Sequence, residues 1–145
     1  MQTALSILLF LQLSLPCGNG TLYAVKKQTE GDSRFSAFPK IEGKRNIPVY
    51  PGGDKALDNL IREKLILDAE AQRYEFVLNY YFTVKCNGSI GDVVVLGDKE
   101  LAEWTNISTI IQHTTDWQPA YVDGKAVDCI YFRKLPIKGS DFKNN

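Results

Sequence analysis

Apolar and polar residues alternate along the stretch from Arg73 to Leu96, which is the clearest pattern in the chain. The alternate apolar positions of its first half are Tyr74, Phe76, Leu78, Tyr80, Phe82, Val84 and Cys86. A period of two places them on one face of a β-strand, whereas a helix would scatter them. Asn87-Gly88 is a strong hairpin signal, because both residues tolerate positive φ. The pattern therefore predicts a long strand, a tight turn and a second strand over Ile90 to Leu96.

Two segments show helical spacing instead. Asp54 can cap the first helix, whose apolar stripe is Leu57, Leu60, Ile61 and Leu65. Asp98 or Lys99 opens the second, with the buried face Leu101, Trp104, Ile107, Ile110 and Ile111. A third strand is predicted from Ala126 to Leu135, with Val127, Cys129 and Tyr131 on one face and Ile130 and Phe132 on the other. This order predicts a two-layer α+β domain over residues 47–145 with both helices on one face of the sheet.

The first 20 residues resemble a secretory leader. Residues 1–16 are nearly all apolar but fall short of the ~20 residues that a membrane-spanning helix needs. No Lys or Arg precedes the apolar run, which departs from the usual signal pattern. Cys17 suggests lipidation as in bacterial lipoproteins, although Pro16 fits that pattern poorly. We rank export with removal of residues 1–20 first, lipidation at Cys17 second and a single membrane anchor third.

The next segment, residues 21–46, is polar and interrupted by glycine and proline, which predicts a tether with at most a short strand at Leu22 to Val25. An exported protein meets an oxidising compartment. Cys86 and Cys129 both lie in predicted strands, so a disulfide between them is one interpretation. The other, which we favour slightly, is that both are small buried hydrophobic residues.

Composition argues against two classes of function. The chain has 17 Lys and Arg against 17 Asp and Glu, so it offers no electrostatic footprint for a nucleic acid. His113 is the only histidine, and no Cys, His or carboxylate residues have the spacing of metal ligands. Neither a nucleophile motif nor a phosphate-binding glycine loop is present. The sequence therefore predicts a protein that is not an enzyme and needs no cofactor.

Five short motifs, in order, resemble the TonB C-terminal-like domain in its Bacteroidetes-type form. They are Tyr50-Pro51-Gly52-Gly53 before an amphipathic helix, Asn87-Gly88-Ser89-Ile90 before Val93-Val94-Val95, Trp117-Gln118-Pro119, Gly124-Lys125 and Leu135-Pro136-Ile137. The resemblance spans about residues 47–142. The chain departs from the family at Leu67-Asp68, where Tyr-Pro is usual, and at Ala120, where Gly is usual. The resemblance implies a small antiparallel three-stranded sheet with two helices packed on one face, and a periplasmic location.

The family binds by adding a partner strand to a sheet edge. The resemblance implies that the last strand is that edge, and that a TonB-box peptide of an outer-membrane transporter pairs with it. The implied partner-binding residues are Ala126, Asp128, Ile130, Phe132 and Lys134, together with Tyr50 and Pro51. An ordinary edge protected by Pro136 and charges is the alternative for the strand, and a rigid turn before a capped helix is the alternative that we favour for Tyr50-Pro51. Because the expected tether is short, the domain is a candidate for having kept binding without force transduction.

Two alternatives remain open. One is an envelope scaffold or inhibitory module that binds another envelope protein without energy coupling. The other is a secreted eukaryotic glycoprotein of cystatin-like shape, suggested by the sequons that begin at Asn19, Asn87 and Asn106.

Overall fold

A computed structural model describes residues 17–142 of the chain, which form a six-stranded mixed sheet with four α-helices. The strands are β1 (Leu22–Val25), β2 (Lys40–Ile41), β3 (Glu75–Val84), β4 (Ile90–Val95), β5 (Ala120–Val122) and β6 (Lys125–Lys138). The helices are α1 (Lys26–Thr29), α2 (Gly53–Lys64), α3 (Lys99–Trp104) and α4 (Ile107–Gln112). Short 3-10 turns occupy Ser33–Phe35, Ala71–Arg73 and Gly139–Phe142. The predicted α+β class is therefore confirmed.

The sheet order is β2-β1-β6-β3-β4, and β5 forms a hairpin with β6. Strand β3 is antiparallel to both β4 and β6, and its register with β6 runs from Glu75 opposite Lys138 to Val84 opposite Cys129. Strand β1 instead runs parallel to β6 and to β2. The expectation of a purely antiparallel three-stranded sheet is wrong, because residues before position 47 contribute β1 and β2 and Ala120–Val122 contribute β5.

The alternation in β3 divides its side chains as predicted. Leu78, Tyr80, Phe82 and Val84 are all fully buried on the face that α2 and α4 cover. Leu57 and Ile61 of α2 pack there, together with Ile107, Ile110 and Ile111 of α4. Burying such side chains removes apolar area from water, which stabilises the fold by roughly 25 cal/mol per Å². This face holds the main core.

The predicted second helix is two helices, because the chain breaks at Thr105–Asn106. Thr105 forms an isolated β-bridge with Leu67. The Asn106 side chain accepts from Ile66 N at 2.8 Å and donates to Lys64 O at 3.2 Å. These bonds satisfy backbone groups where α2 ends. They also engage the amide nitrogen of a predicted glycosylation sequon, which argues against a glycan at Asn106.

The start of α2 differs from the prediction in one respect. Gly52, at φ +87°, occupies the N-cap position, and Asp54 lies inside the first turn. The Asp54 carboxylate accepts from the Tyr131 hydroxyl and, at 3.1 Å, from Arg133. Arg133 also donates to both carboxylate oxygens of Asp58 at 2.7 Å. These contacts fix α2 to β6, and burial followed by the Asp54 contact raises the pKa of Tyr131 well above its usual range.

The hairpin between β3 and β4 turns at the predicted residues but with a longer loop. Gly88 N donates to Lys85 O at 2.8 Å, and Lys85 N donates to Ser89 O at 2.8 Å. Of the two turn residues Asn87 and Gly88, only Gly88 has positive φ, at +83°. This is the pattern of a β-turn followed by a left-handed residue.

Candidate binding site

The edge of β6 opposite β3 is the predicted partner-binding site, and in the structure it is occupied by the chain itself. The N-terminal arm, defined as residues 17–46, crosses this edge. Its strand β1 pairs in parallel with β6, Leu22 opposite Asp128, Tyr23 opposite Cys129 and Ala24 opposite Ile130. The prediction that residues 21–46 form a tether is wrong, since this segment is an integral part of the sheet. Strands β1 and β2 lie before residue 47 and belong to the same sheet, so the predicted domain boundary at residue 47 does not separate them from the rest of the fold.

Beyond the end of β1, a side chain of the arm accepts a hydrogen bond from a further backbone N–H group of β6. The Phe132 amide, which points away from β3, donates to Oε1 of Gln28 at 2.9 Å. Pro136 follows further along with no N–H to donate, and its carbonyl accepts from Arg62 at 3.1 Å. The expectation of an open edge over Ala126 to Lys134 is therefore wrong for this conformation. Pro136 pairs with Val77 of β3 and lies beyond the residues of β6 with which β1 pairs.

The sheet face that the helices leave open carries a second, smaller core. It consists of Ala24, Phe35, Ile130 and Phe132, all 3% exposed or less. The Phe35 ring lies 5.3 Å from that of Tyr81 and 5.5 Å from that of Phe132. The arm folds here because the apolar face of β6 and β3 would otherwise meet water. Ile130 and Phe132 thus lie under the arm and are not accessible to a partner.

The other predicted site residues of β6 have different surroundings. Ala126 is half-buried and pairs with Tyr121 of β5. Asp128 is half-buried, and its carboxylate accepts from Cys86 N at 2.8 Å. Lys134 is exposed, with its ammonium 5.7 Å from the Phe132 ring. Of these three side chains, Lys134 is the most exposed while the arm is in place.

Tyr50 and Pro51 do not join the β6 site on one face. The Tyr50 ring packs 5.3 Å from that of Trp117, which in turn lies 5.3 Å from the Tyr131 ring in the main core. Pro51 is exposed just before α2. Tyr50 therefore lies on the helix-covered side of the sheet, whereas Ile130 lies on the opposite side.

The cysteines pair differently from the sequence prediction. Cys17 and Cys86 form a disulfide with their Cα atoms 5.8 Å apart, and Cys129 is free and buried. The proposed Cys86–Cys129 disulfide is wrong, whereas the alternative of a buried hydrophobic residue holds for Cys129. Burial raises the pKa of the Cys129 thiol to about 12. Since lipidation would use the same sulfur of Cys17, the disulfide is incompatible with a lipid there.

A groove of about 610 Å³ lies between the arm and the second face of the sheet. Residues 17–22 form one wall, and the other lining residues are Tyr81, Thr83, Lys85, Gly91, Asp92, Val94 and Asp128. The groove shows that the arm covers this face only in part. The short strand predicted at Leu22 to Val25 is confirmed as β1, but its pairing with β6 was not predicted. The apolar pair Ile130 and Phe132 could have indicated that a cover was needed.

The last features that the sequence raised are a metal site, a membrane-spanning helix and the predicted leader. Within residues 17–142, no group of three His, Cys, Asp or Glu side chains is placed to hold a metal ion. No helix in this same stretch is long and apolar enough to cross a membrane. The predicted leader spans residues 1–20, and its apolar run, residues 1–16, lies outside the described residues. Removal through residue 20 does not agree with the structure, because Cys17 is bonded to Cys86.

Comparisons with known proteins give no family for this chain. No protein-family model matches it, and neither a curated protein nor a solved structure does so.

Proposed function

We propose that this protein is a TonB C-terminal-like binding module of the periplasm that docks an extended segment of an outer-membrane transporter by strand addition along β6. The module is not an enzyme and uses no cofactor. The partner segment takes the place of β1, so it meets Asp128, Ile130 and Phe132 once the arm has moved. Tyr50 and Pro51 supply a separate contact with the transporter.

One observation carries this proposal: the β6 edge already accepts an extended parallel strand. Leu22 to Ala24 lie against Asp128 to Ile130 with regular register, so backbone groups on this edge are directed outward and spaced for a ladder. The paired stretch is short, three residues, and belongs to an arm that is attached to the rest of the sheet by separate contacts. A strand of another protein can make the same bonds.

Affinity should be modest. Each ladder hydrogen bond contributes only about 0.5–1.5 kcal/mol net, and association also costs translational and rotational freedom. A short peptide should therefore bind with a Kd near or above about 1 μM. Competition from β1, which is part of the same chain and present at high effective concentration, weakens binding further.

The test is an NMR titration of two proteins with TonB-box peptides from the transporters of the source organism. One is the native protein, and the other carries Tyr23→Pro. Because the Ala24 amide donates to Pro39 O of the β2 side, the Tyr23 amide faces β6. Proline at this position removes the donor that faces β6 and leaves the sequence of β6 unchanged, although it also removes the half-buried Tyr23 ring that packs against the main core. A peptide of equal composition with prolines at alternate positions is the control, since it cannot form the ladder.

Amide shifts confined to residues 126–134 that appear in Tyr23→Pro, are smaller or absent in the native protein and are absent with the control peptide would support the proposal. Unchanged spectra of both proteins at millimolar peptide, or shifts centred on α2 and α4, would reject it. The second candidate function, an envelope scaffold or inhibitory module without energy coupling, would then be the better supported of the two. The filled β6 edge favours that candidate, because a permanently closed sheet has no edge to offer.

The periplasmic location has its own test. We propose export, with the mature chain beginning at or before Cys17, because the Cys17–Cys86 disulfide requires that Cys17 be retained. Mass spectrometry of protein from the native host should find the apolar leader removed and no lipid on Cys17. A protein that retains Met1 in the cytoplasm, or one that begins after Cys17, would contradict this.

A further inference from the structure

Strand β1 is fastened at both of its ends. On its N-terminal side, the disulfide joins Cys17 to Cys86 in the β3–β4 turn. The Cβ of Cys86 lies 3.7 Å from a Cβ built on Gly18, so the chain passes closely over that turn. On its C-terminal side, β1 pairs with β2, and the Ala24 amide donates to Pro39 O at 2.9 Å.

The two ends of β1 are held by different kinds of interaction. The contacts at the C-terminal side are ordinary packing and hydrogen bonds, supported by Phe35 in the second core. The N-terminal side, residues 17–21, is exposed throughout. Few buried contacts hold residues 17–21 to the sheet, so the covalent bond to Cys86 is what keeps this end of β1 from fraying.

We propose that the Cys17–Cys86 disulfide is a redox latch that holds β1 over the β6 edge. In the oxidised protein β1 stays paired and the edge is closed. In the reduced protein β1 frays from its N-terminal end and exposes Asp128 to Ile130. The release of β1 on reduction is inferred from the contacts described above. Its effect on the binding of a transporter segment rests on the proposed function.

The chemistry of opening is thiol–disulfide exchange with a dithiol reductant. Cys17 is exposed, whereas Cys86 is 9% exposed, so the attacking thiolate reaches the sulfur of Cys17. The S–S bond breaks, a mixed disulfide forms on Cys17, and Cys86 leaves as a thiolate that takes a proton. The second thiol of the reductant then attacks the mixed disulfide. Cys17 and Cys86 end as two thiols, and the dithiol ends as a disulfide that has given up two electrons.

The first arm of the test is residue-resolved hydrogen exchange with and without dithiothreitol. Reduction should speed exchange at the Tyr23 and Val25 amides by about ten-fold or more, because the constraint on the end of β1 is lost. Amides of α2 and β3 should change far less. Cys17→Ser should show the fast rates from the start and no response to dithiothreitol, which controls for other effects of the reductant.

Two results of this arm would overturn the latch. One is unchanged exchange in β1 after verified reduction. The other is equal acceleration across β1, α2 and β3, which would make the disulfide a general staple of the fold.

The second arm uses a synthetic peptide of residues 21–27 as the probe, because this sequence already fits the edge. It should shift amides of Asp128 to Phe132 in reduced protein and in Cys17→Ser, and should not do so in oxidised protein. Equal shifts in oxidised and reduced protein would contradict the latch.

The two proposals can fail separately. Fast β1 exchange on reduction, with binding of the 21–27 peptide but of no transporter peptide, would leave the latch standing and remove the docking of a transporter segment. Slow β1 exchange on reduction, together with transporter-peptide binding to Tyr23→Pro, would remove the latch and leave strand addition standing.

Discussion

Cys17 is bonded to Cys86 across 69 positions of sequence, so the first described residue is fastened to the turn of the central hairpin. This bond brings the arm to the edge of β6. A pairing of Cys86 with Cys129 would leave the arm without a covalent attachment at its N-terminal end. The arrangement of the three cysteines is therefore the first prediction to check.

Peptide mapping of unreduced protein should recover Cys17 linked to Cys86. Iodoacetamide at pH 8 should leave Cys129 unmodified in native protein and label it in urea, because the buried thiol is inaccessible and its pKa is raised to about 12. Recovery of a Cys86–Cys129 peptide, or rapid labelling of native Cys129, would contradict the structure.

Phe82 and Thr83 test the assignment of the two faces of β3. Phe82 is fully buried in the main core, so Phe82→Ala should lower the free energy of unfolding by about 3–5 kcal/mol. Thr83→Ala, on the half-exposed opposite face, should cost less than about 1 kcal/mol. Urea denaturation of both variants measures the two free energies of unfolding. Equal losses would show that the faces of β3 are wrongly assigned.

Much of this core could be predicted from the sequence, because local periodicity alone fixes which side of an element is apolar. Phe82, Leu57 and Ile111 all lie in the main core, as their spacing in β3, α2 and α4 indicates. The break at Asn106 was not predictable in this way. Its side chain bonds to Lys64 and Ile66, 40 and more positions away.

The candidate site was predicted less well than the core. The alternation in β6 correctly placed Ile130 and Phe132 on the second face, but periodicity does not say what covers that face. The arm reaches it through pairing between Leu22 and Asp128, which are more than 100 positions apart. The strand itself was predicted at Leu22 to Val25, and β1 confirms it, but a four-residue strand gives almost no local signal of the strand with which it pairs.

Gly88 and Gly124 form a matched pair in two turns. Both have positive φ, +83° and +77°, so alanine at either position should cost about 1–2 kcal/mol for the left-handed backbone. A Cβ on Gly88 would also lie 2.7 Å from Trp117 O, whereas one on Gly124 meets nothing within 4 Å. Thermal melts should therefore show Gly88→Ala as clearly less stable than Gly124→Ala, and the reverse order would contradict the turn geometry.

Stability should fall at alkaline pH in part because of Cys129. Burial raises the pKa of this thiol from 9.0 to about 12, so the folded state keeps a proton that the unfolded state loses. Between those values the free energy of unfolding decreases with rising pH by up to about 1.4 kcal/mol per pH unit from this group. Well below pH 9, where both states keep the proton, the effect is absent.

The control is Cys129→Ala, which removes the titrating group. Urea denaturation at pH 8, 9, 10 and 11 should give a shallower decline for Cys129→Ala than for the native protein. Parallel declines would show that the thiol is not protected in the fold.

The central claim is that β1 fills the edge of β6, where a partner strand is proposed to bind. NMR of the oxidised protein tests it most directly, through nuclear Overhauser contacts between backbone protons of Leu22 to Ala24 and of Asp128 to Ile130. We expect such contacts in parallel register, with slow exchange of the Tyr23 and Phe132 amides. Sharp, unprotected signals without contacts to β6 for residues 17–46 would contradict the account and would make this segment the tether that the sequence predicts.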